Sequence, residues 1–129
     1  VRMPRFHPAW FAAAVLFAAT PGALSPAWAH HGWGGQEEQV TSLTGTVVEG
    51  VSMAGPHATM KIKSGNDVWD LTLAPPARTA RSGLKEGLIP VGATVTVRGN
   101  RNSDHSRHEM KTISIQHGSA EYHVYPDRE

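Results

Sequence analysis

Residues 40–73 read VTSLTGTVVEGVSMAGPHATMKIKSGNDVWDLTL, and this stretch decides the fold. It contains three runs in which apolar and polar residues alternate, which is the period of a β-strand with one buried face. A Gly55-Pro56 turn separates the first two runs, and the residues SGND at 64–67 separate the last two. The stretch therefore predicts strands at 40–53, 57–63 and 68–73, with the last two joined as a hairpin.

The chain beyond this stretch continues the pattern with one interruption. Pro75 and Pro76 end the third strand, because proline cannot donate a hydrogen bond to a sheet. They also suit the start of a short helix that runs to about residue 82, with Gly83 as its cap. Alternation returns at 93–99 and 110–116 around a polar turn at 100–107, and residues 122–125 predict a short closing segment.

The order of these elements predicts an all-β fold with one short helix, a small five-stranded OB-like Greek-key barrel over residues 40–125. An open β-sandwich of the same strands is the alternative. The long first strand favours the barrel, because Gly45 and Gly50 let it bend and pair on both sides. The inward positions predict one shared core: Leu43, Val47, Met60, Ile62, Trp69, Leu71, Val95, Val97, Ile113 and Ile115.

Residues 1–29 have the pattern of a secretory signal peptide. Arg2 and Arg5 give a basic start, residues 10–19 are an apolar run of ten residues, and Ala27-Trp28-Ala29 is a cleavage signal. A transmembrane anchor is the alternative, but a spanning helix needs about 20 apolar residues. We therefore expect cleavage after Ala29, a periplasmic or secreted protein with no membrane span after processing, and a flexible His- and Gly-rich tail at 30–39.

Composition narrows the range of partners. The sequence has 12 basic and 11 acidic residues, and removal of the signal peptide takes away two of the basic ones, Arg2 and Arg5. The processed chain therefore lacks the basic surplus of a nucleic-acid-binding protein, and we expect no nucleic-acid partner. The chain has no cysteine, so an exported domain of this sequence depends on its core alone.

Catalytic motifs are missing from the sequence. It has no Gly-x-Ser-x-Gly elbow, no phosphate-binding loop and no His-Glu-x-x-His helix. Ser106 lies among Asp104, His105 and His108, but neighbours in one turn cannot adopt the geometry of a catalytic triad. The sequence predicts that the protein is not an enzyme.

Histidine is the unusual component of the composition, with eight residues in the chain. After cleavage, His30 would carry the free α-amine, and its ring, the amine and His31 could bind one copper ion. A soluble spacer is the alternative interpretation of this pair.

A second group of histidines lies on loops that flank the binding face of an OB-type barrel. His57 follows the first loop, and His105 and His108 lie in the loop between the fourth and fifth strands, with Asp104 and Met53 as further donors. Imidazole with a thioether suits copper, and imidazole with a carboxylate suits zinc. The sequence thus predicts Cu or Zn at His30, His31, His57, His105 and His108, although surface loops often carry such residues without a ligand.

Five motifs in order resemble a known family. They are His30-His31, the residues LTGTV at 43–47, Gly55-Pro56-His57, Arg81-x-Gly83-Leu84 and the residues VGATVTV at 91–97. They resemble the small exported bacterial proteins of domain-of-unknown-function family 6152, across roughly residues 30–117. Gly55 stands where that family usually has Asn. The resemblance implies export and a small β-rich domain, and it implies no activity.

These observations predict an exported, non-enzymatic binding domain with copper or zinc as its ligand. The alternative is a periplasmic interaction module that contacts an envelope protein, or an accessory subunit, with incidental histidines.

Overall fold

The computed structural model describes residues 33–129, which form six strands and two short helices. The predicted signal peptide at 1–29, together with His30 and His31, lies outside the described residues. The elements in chain order are β1 Thr41–Ser52, β2 Thr59–Ser64, β3 Asp67–Thr72, α1 Pro76–Arg81, β4 Thr94–Arg101, β5 Glu109–His117, β6 Ala120–His123 and a 3-10 helix at Pro126–Arg128. No helix within residues 33–129 is long and apolar enough to cross a membrane.

The strands close into a barrel. Their order in the sheet is β3-β2-β1-β4-β5-β6, and β3 also pairs with β5 in parallel, from Asp70 opposite Glu109 to Thr72 opposite Lys111. This extra pairing joins the two ends of the five-strand sheet. The structure thus confirms the five-stranded barrel with one short helix and excludes the open sandwich.

Strand β1 is long because it serves two neighbours. Its first half pairs with β4, beginning with Thr41 opposite Gly99, and its second half pairs with β2 as far as Ser52 opposite Thr59. At Gly45 a Cβ atom would lie 2.5 Å from the carbonyl oxygen of Lys63, so the strands can approach this closely only at glycine.

The core lies inside the barrel and matches the predicted set. Nine of the ten predicted residues are buried, and Leu43 is partly buried and packs against the others. Leu84 and Ile89 also enter the core, from the segment between α1 and β4. That segment has no alternating pattern, so the burial of these two residues could not be predicted from the sequence.

The described part of the predicted flexible tail is tied to β4. The Asn100 side-chain amide donates to the carbonyl oxygens of Glu37, Glu38 and Gln39 at 3.0–3.3 Å. The Glu37 N–H donates to the Arg101 carbonyl oxygen at 2.9 Å. We call residues 33–39 the N-terminal arm. The arm has no hydropathy pattern, and it is attached through a buried asparagine and backbone hydrogen bonds that the tail sequence does not reveal.

Candidate binding sites

The loop histidines that the sequence singled out contact different partners. A ring nitrogen of His105 contacts the Glu37 carboxylate of the N-terminal arm. The Nε2 atom of His108 lies 3.7 Å from the Asp67 carboxylate, and its ring centre lies 5.2 Å from that of Trp69. These two histidines therefore face the arm and β3 respectively.

His57 lies in the loop between β1 and β2 and is half-buried. Burial is the largest cause of the lowered pKa of His57, and the nearby positive charge of Lys111 on β5 lowers this pKa further. A neutral imidazole is the form that binds metals, but a neighbouring ammonium group repels a metal cation. His57 thus faces a lysine in the structure.

The other predicted donors are held locally. The Asp104 carboxylate accepts from the Ser106 N–H at 3.0 Å and from the Ser106 hydroxyl at 2.7 Å, and these bonds lower the pKa of Asp104. Met53 packs against the core, and its N–H donates to Glu86 at 2.7 Å. Asp104 stabilises its own turn, and Met53 belongs to the packing of the barrel.

One group within residues 33–129 brings three potential metal ligands together. Ligating atoms of Glu121, His123 and Glu129 all lie within 4.8 Å of one another. The predicted residues His57, His105 and His108 do not share such a group among the described residues, and His30 and His31 are not described. The five-residue copper or zinc site stays a prediction.

The geometry of this C-terminal group follows from strand β6. Glu121 and His123 are two positions apart on a strand, so their side chains point to the same face. The 3-10 helix that follows returns the chain, and the Glu129 carboxylate lies 2.5 Å from Nδ1 of His123. The Glu121 carboxylate lies 3.8 Å from Nε2.

The two carboxylates control the protonation of His123. The hydrogen bond to Glu129 is the largest cause of a raised pKa for His123, and the charges of Glu129 and Glu121 add to it. The imidazole is 41% exposed, so solvent and ions reach it. Chemically, the group offers one imidazole nitrogen and two carboxylate oxygens. The Glu-x-His spacing is visible in the sequence, but the approach of Glu129 to His123 is not, so this group could not be predicted.

A second group is centred on Lys111. It consists of Lys111, Trp33, Tyr125 and Arg128, and we call it the basic–aromatic cluster. Lys111 is only 5% exposed, and its neighbour Met110 is in the core, so the lysine points to the outer face of β5. The Lys111 ammonium nitrogen lies 5.5 Å from the centre of the Trp33 ring and 5.8 Å from that of Tyr125. The arm and the C-terminal segment therefore cover this lysine together.

The remaining members complete the cluster. The two rings meet edge to face with centres 5.1 Å apart. The Arg128 guanidinium lies 4.0 Å from the centre of the Trp33 ring. A cavity of about 300 Å³ adjoins the cluster and is lined by residues 33–38, Asn100 and Arg128.

The electrostatics of the cluster are unbalanced. Burial lowers the pKa of Lys111, and the charge of Arg128 lowers this pKa further. Among residues 33–129 no carboxylate forms an ion pair with Lys111. Lys111 was not among the predicted residues, because alternation with Ile113 and Ile115 would turn position 111 inward, and only the packed structure places its ammonium group beside Trp33 and Tyr125.

Comparisons with known proteins place the chain at the level of family and fold. The model of a family described as "Family of unknown function (DUF6152)" matches residues 19–111. A search of curated proteins found no match.

A solved structure described as "Crystal structure of the ZRD-deleted mutant of TiaS in complex with agmatine" is similar, with a TM-score of 0.51 and 15% sequence identity. The similarity covers 67% of this chain and 26% of that chain, so this chain spans about a quarter of that protein. At this identity the likeness concerns the fold alone.

Proposed function

We propose that this chain, which belongs to the DUF6152 family of unknown function, is an exported, non-catalytic binding domain that holds a divalent metal ion at its C-terminal end. The observation that carries the proposal is the convergence of Glu121, His123 and Glu129, whose ligating atoms lie within 4.8 Å of one another. One imidazole and two carboxylates suit Zn²⁺, and they lack the sulfur ligand that favours Cu⁺.

Protonation supports the same group as a metal site. The carboxylates favour a proton on His123, and a metal ion would replace that proton between the same three side chains. Strand β6 is hydrogen-bonded to β5, with Ser114 opposite His123 and Gln116 opposite Glu121, so two of the three ligands have a fixed backbone. The two carboxylates approach different ring nitrogens of His123, so at least one of them must move before all three side chains can bind one ion.

Export rests on the signal-peptide pattern of residues 1–29. Processing after Ala29 would give His30 a free amine, and His30 with His31 would then be a separate copper site. The loop histidines are weaker candidates, because His105 and His108 would have to leave Glu37 and Asp67 before they could bind an ion.

The test is calorimetric titration of the exported protein with Zn²⁺ and Cu²⁺ after treatment with a chelator. We expect His123→Ala to weaken Zn²⁺ binding by about tenfold or more, because it removes the single imidazole of the group. The double variant with His105→Ala and His108→Ala is the matched control and should bind Zn²⁺ unchanged. Loss in the double variant alone would assign the metal to the loops, and cleavage elsewhere than after Ala29, seen by mass spectrometry, would remove the His30 amine site.

The second candidate is a metal-free interaction module that contacts an envelope protein. It is favoured by one observation, namely that His105, His108 and His123 each already contact a carboxylate. Histidines in such pairs stabilise a fold without any ligand. If the exported protein binds Zn²⁺ and Cu²⁺ no more tightly than a His-His-Gly-Trp peptide does, this second function replaces the first.

A further inference from the structure

Lys111 is a buried cation that forms no ion pair with any acidic residue of the described segment 33–129. Lysine is almost never this deeply buried unless it is paired, because removal of an ammonium group from water is costly. The residue Lys111 is only 5% exposed, yet no ion pair joins it to an acidic residue in the part of the chain that the structure describes. A bound group of opposite charge would therefore offset the free-energy cost of this burial.

The groups around Lys111 increase the positive potential. Burial is the largest cause of the lowered pKa of Lys111, and the charge of Arg128 lowers it further. Burial likewise is the largest cause of the lowered pKa of His57, and the charge of Lys111 adds to it. Arg78 lies over the other side of the cluster, 4.6 Å from the centre of the Tyr125 ring, but its guanidinium is bonded to Asp127. Lys111 and Arg128 are both positive, and neither forms an ion pair among residues 33–129.

The acidic side chains of the adjoining cavity do not neutralise this charge. Glu37 contacts His105, and neither Glu37 nor Glu38 contributes to the pKa of Lys111. The aromatic rings of Trp33 and Tyr125 attract the ammonium group by cation–π interactions, which are directed at ring faces and accept no proton in a hydrogen bond of full strength. An ammonium group has three N–H donors, so donors of Lys111 remain for a ligand.

We propose that the basic–aromatic cluster binds a small oxyanion, a carboxylate or a phosphate group. The Lys111 ammonium donates to the oxyanion from the side of β5, and Arg128 donates from the side of the cavity. The rings of Trp33 and Tyr125 contact the apolar part of a ligand that carries the anion. A metal ion is excluded here, since two cations would repel it.

The experiment is a titration of the purified protein, freed of metal ions beforehand on a chelating resin, with sodium phosphate and, separately, sodium acetate, at constant ionic strength set with sodium chloride. Binding is followed by the tryptophan fluorescence of Trp33 and by NMR shifts of the Lys111 side chain. We expect at least one of the two anions to bind, and the comparison of phosphate with acetate identifies the preferred class.

The variant Lys111→Met keeps the length of the side chain and removes its charge. We expect it to weaken binding roughly tenfold, the usual effect of one lost hydrogen bond to a charged group. The matched control is Lys63→Met, which removes an exposed lysine on β2 and should leave binding unchanged. If Lys111→Met does not fold, Arg128→Gln replaces it, because Arg128 is exposed and its loss should weaken binding several-fold.

A second readout separates ligand binding from a structural role. An anion bound at the ammonium group must raise the pKa of Lys111, because it stabilises the charged form. We expect saturation with the preferred anion to raise the NMR-measured pKa of Lys111. If neither anion binds the protein, if the charge-removing variant binds as well as the wild type, or if the pKa does not move, the proposal is overturned. Since metal ions are removed before the titration, failure here does not bear on the proposed metal site at His123.

Discussion

The ammonium nitrogen of Lys111 lies 5.5 Å from the centre of the Trp33 ring, although the two residues are far apart in the sequence. Trp33 thereby brings the N-terminal arm close to the first residues of β5. The arm continues from there along β4, where Asn100 binds its carbonyl groups. The N-terminal arm thus contributes to the packing of the domain, although it lies within the predicted flexible tail.

Trp33→Ala should detach the arm from β5. It removes the ring that contacts Tyr125, Lys111 and Arg128, and we expect the free energy of unfolding to fall by about 1–3 kcal/mol. Urea denaturation measures the change. Val91→Ala is the control, since Val91 is 67% exposed and its loss should cost less than about 0.5 kcal/mol. Equal stability of the Trp33 variant and the wild type would show that the contacts of the arm through Trp33 contribute nothing to the free energy of unfolding.

Gly45→Ala should destabilise the barrel where β1 passes β2. The added Cβ would lie 2.5 Å from the Lys63 carbonyl oxygen, and the strands must separate to admit it. We expect a loss of about 1–3 kcal/mol in the free energy of unfolding, measured by thermal and urea denaturation. Gly50→Ala on the same strand is the matched control, because its nearest atom would be an ordinary 3.5 Å away. A control variant as unstable as Gly45→Ala would contradict the steric explanation.

The histidines should titrate in a defined order. His57 should have a pKa below 6.5 because burial and Lys111 disfavour its charged form, and His123 should have one above 6.5 because Glu129 favours it. NMR titration of the imidazole protons measures both values directly. The reverse order would mean that burial and Lys111 do not determine the pKa of His57, or that Glu129 does not determine that of His123.

The same two pKa shifts have opposite effects on stability. The folded state binds the His123 proton more tightly than the unfolded state does, so this contribution is complete below pH 6.5 and is lost as the pH rises through the raised pKa. His57 is the reverse case, and its contribution is complete above pH 6.5 and is lost as the pH falls through the lowered pKa. Urea midpoints of His123→Gln and His57→Gln, relative to wild type between pH 5 and 8, should therefore change in opposite directions.

Lys111→Met should leave the domain at least as stable as the wild type. The change removes a charge that has little water and no carboxylate partner, and buried charges replaced by apolar residues of similar size are often neutral or stabilising by about 1–4 kcal/mol. Chemical denaturation at pH 7 with sodium chloride as the only salt is the measurement. A clear loss of stability would mean that the ammonium group has a favourable interaction beyond the two aromatic rings.

The barrel could be predicted because its strands alternate cleanly. Trp69 and Leu71 on β3, and Leu73 directly after it, are buried at every second position, and this period suffices to place a strand and its buried face. Leu84 and Ile89 could not be found in this way, since they enter the core from a segment of irregular backbone. Packing alone decides their burial.

The C-terminal region shows a different limit. The sequence predicts a closing segment at 122–125, whereas β6 spans Ala120–His123. Gly118 at φ +60° makes the tight turn that pairs His117 with Ala120, and this turn shifts the strand toward the N-terminus. Val124 and Tyr125 are then free to cover the barrel, and His123 meets Glu129. The candidate sites depend on such tertiary returns of the chain, which local patterns do not encode.

Strand β5 has one side on which three different segments follow each other. Its first residues pair with β3, its last residues pair with β6, and between them the Ile113 carbonyl oxygen accepts from the N–H groups of Val124 and Tyr125. Residues 110–116 read MKTISIQ, a segment rich in β-formers with a single charge, which is the type that assembles with copies of itself when its backbone is free. Residues 119–129 cover this side of β5, and we expect a chain cut after Gly118 to offer other molecules an open strand edge for pairing.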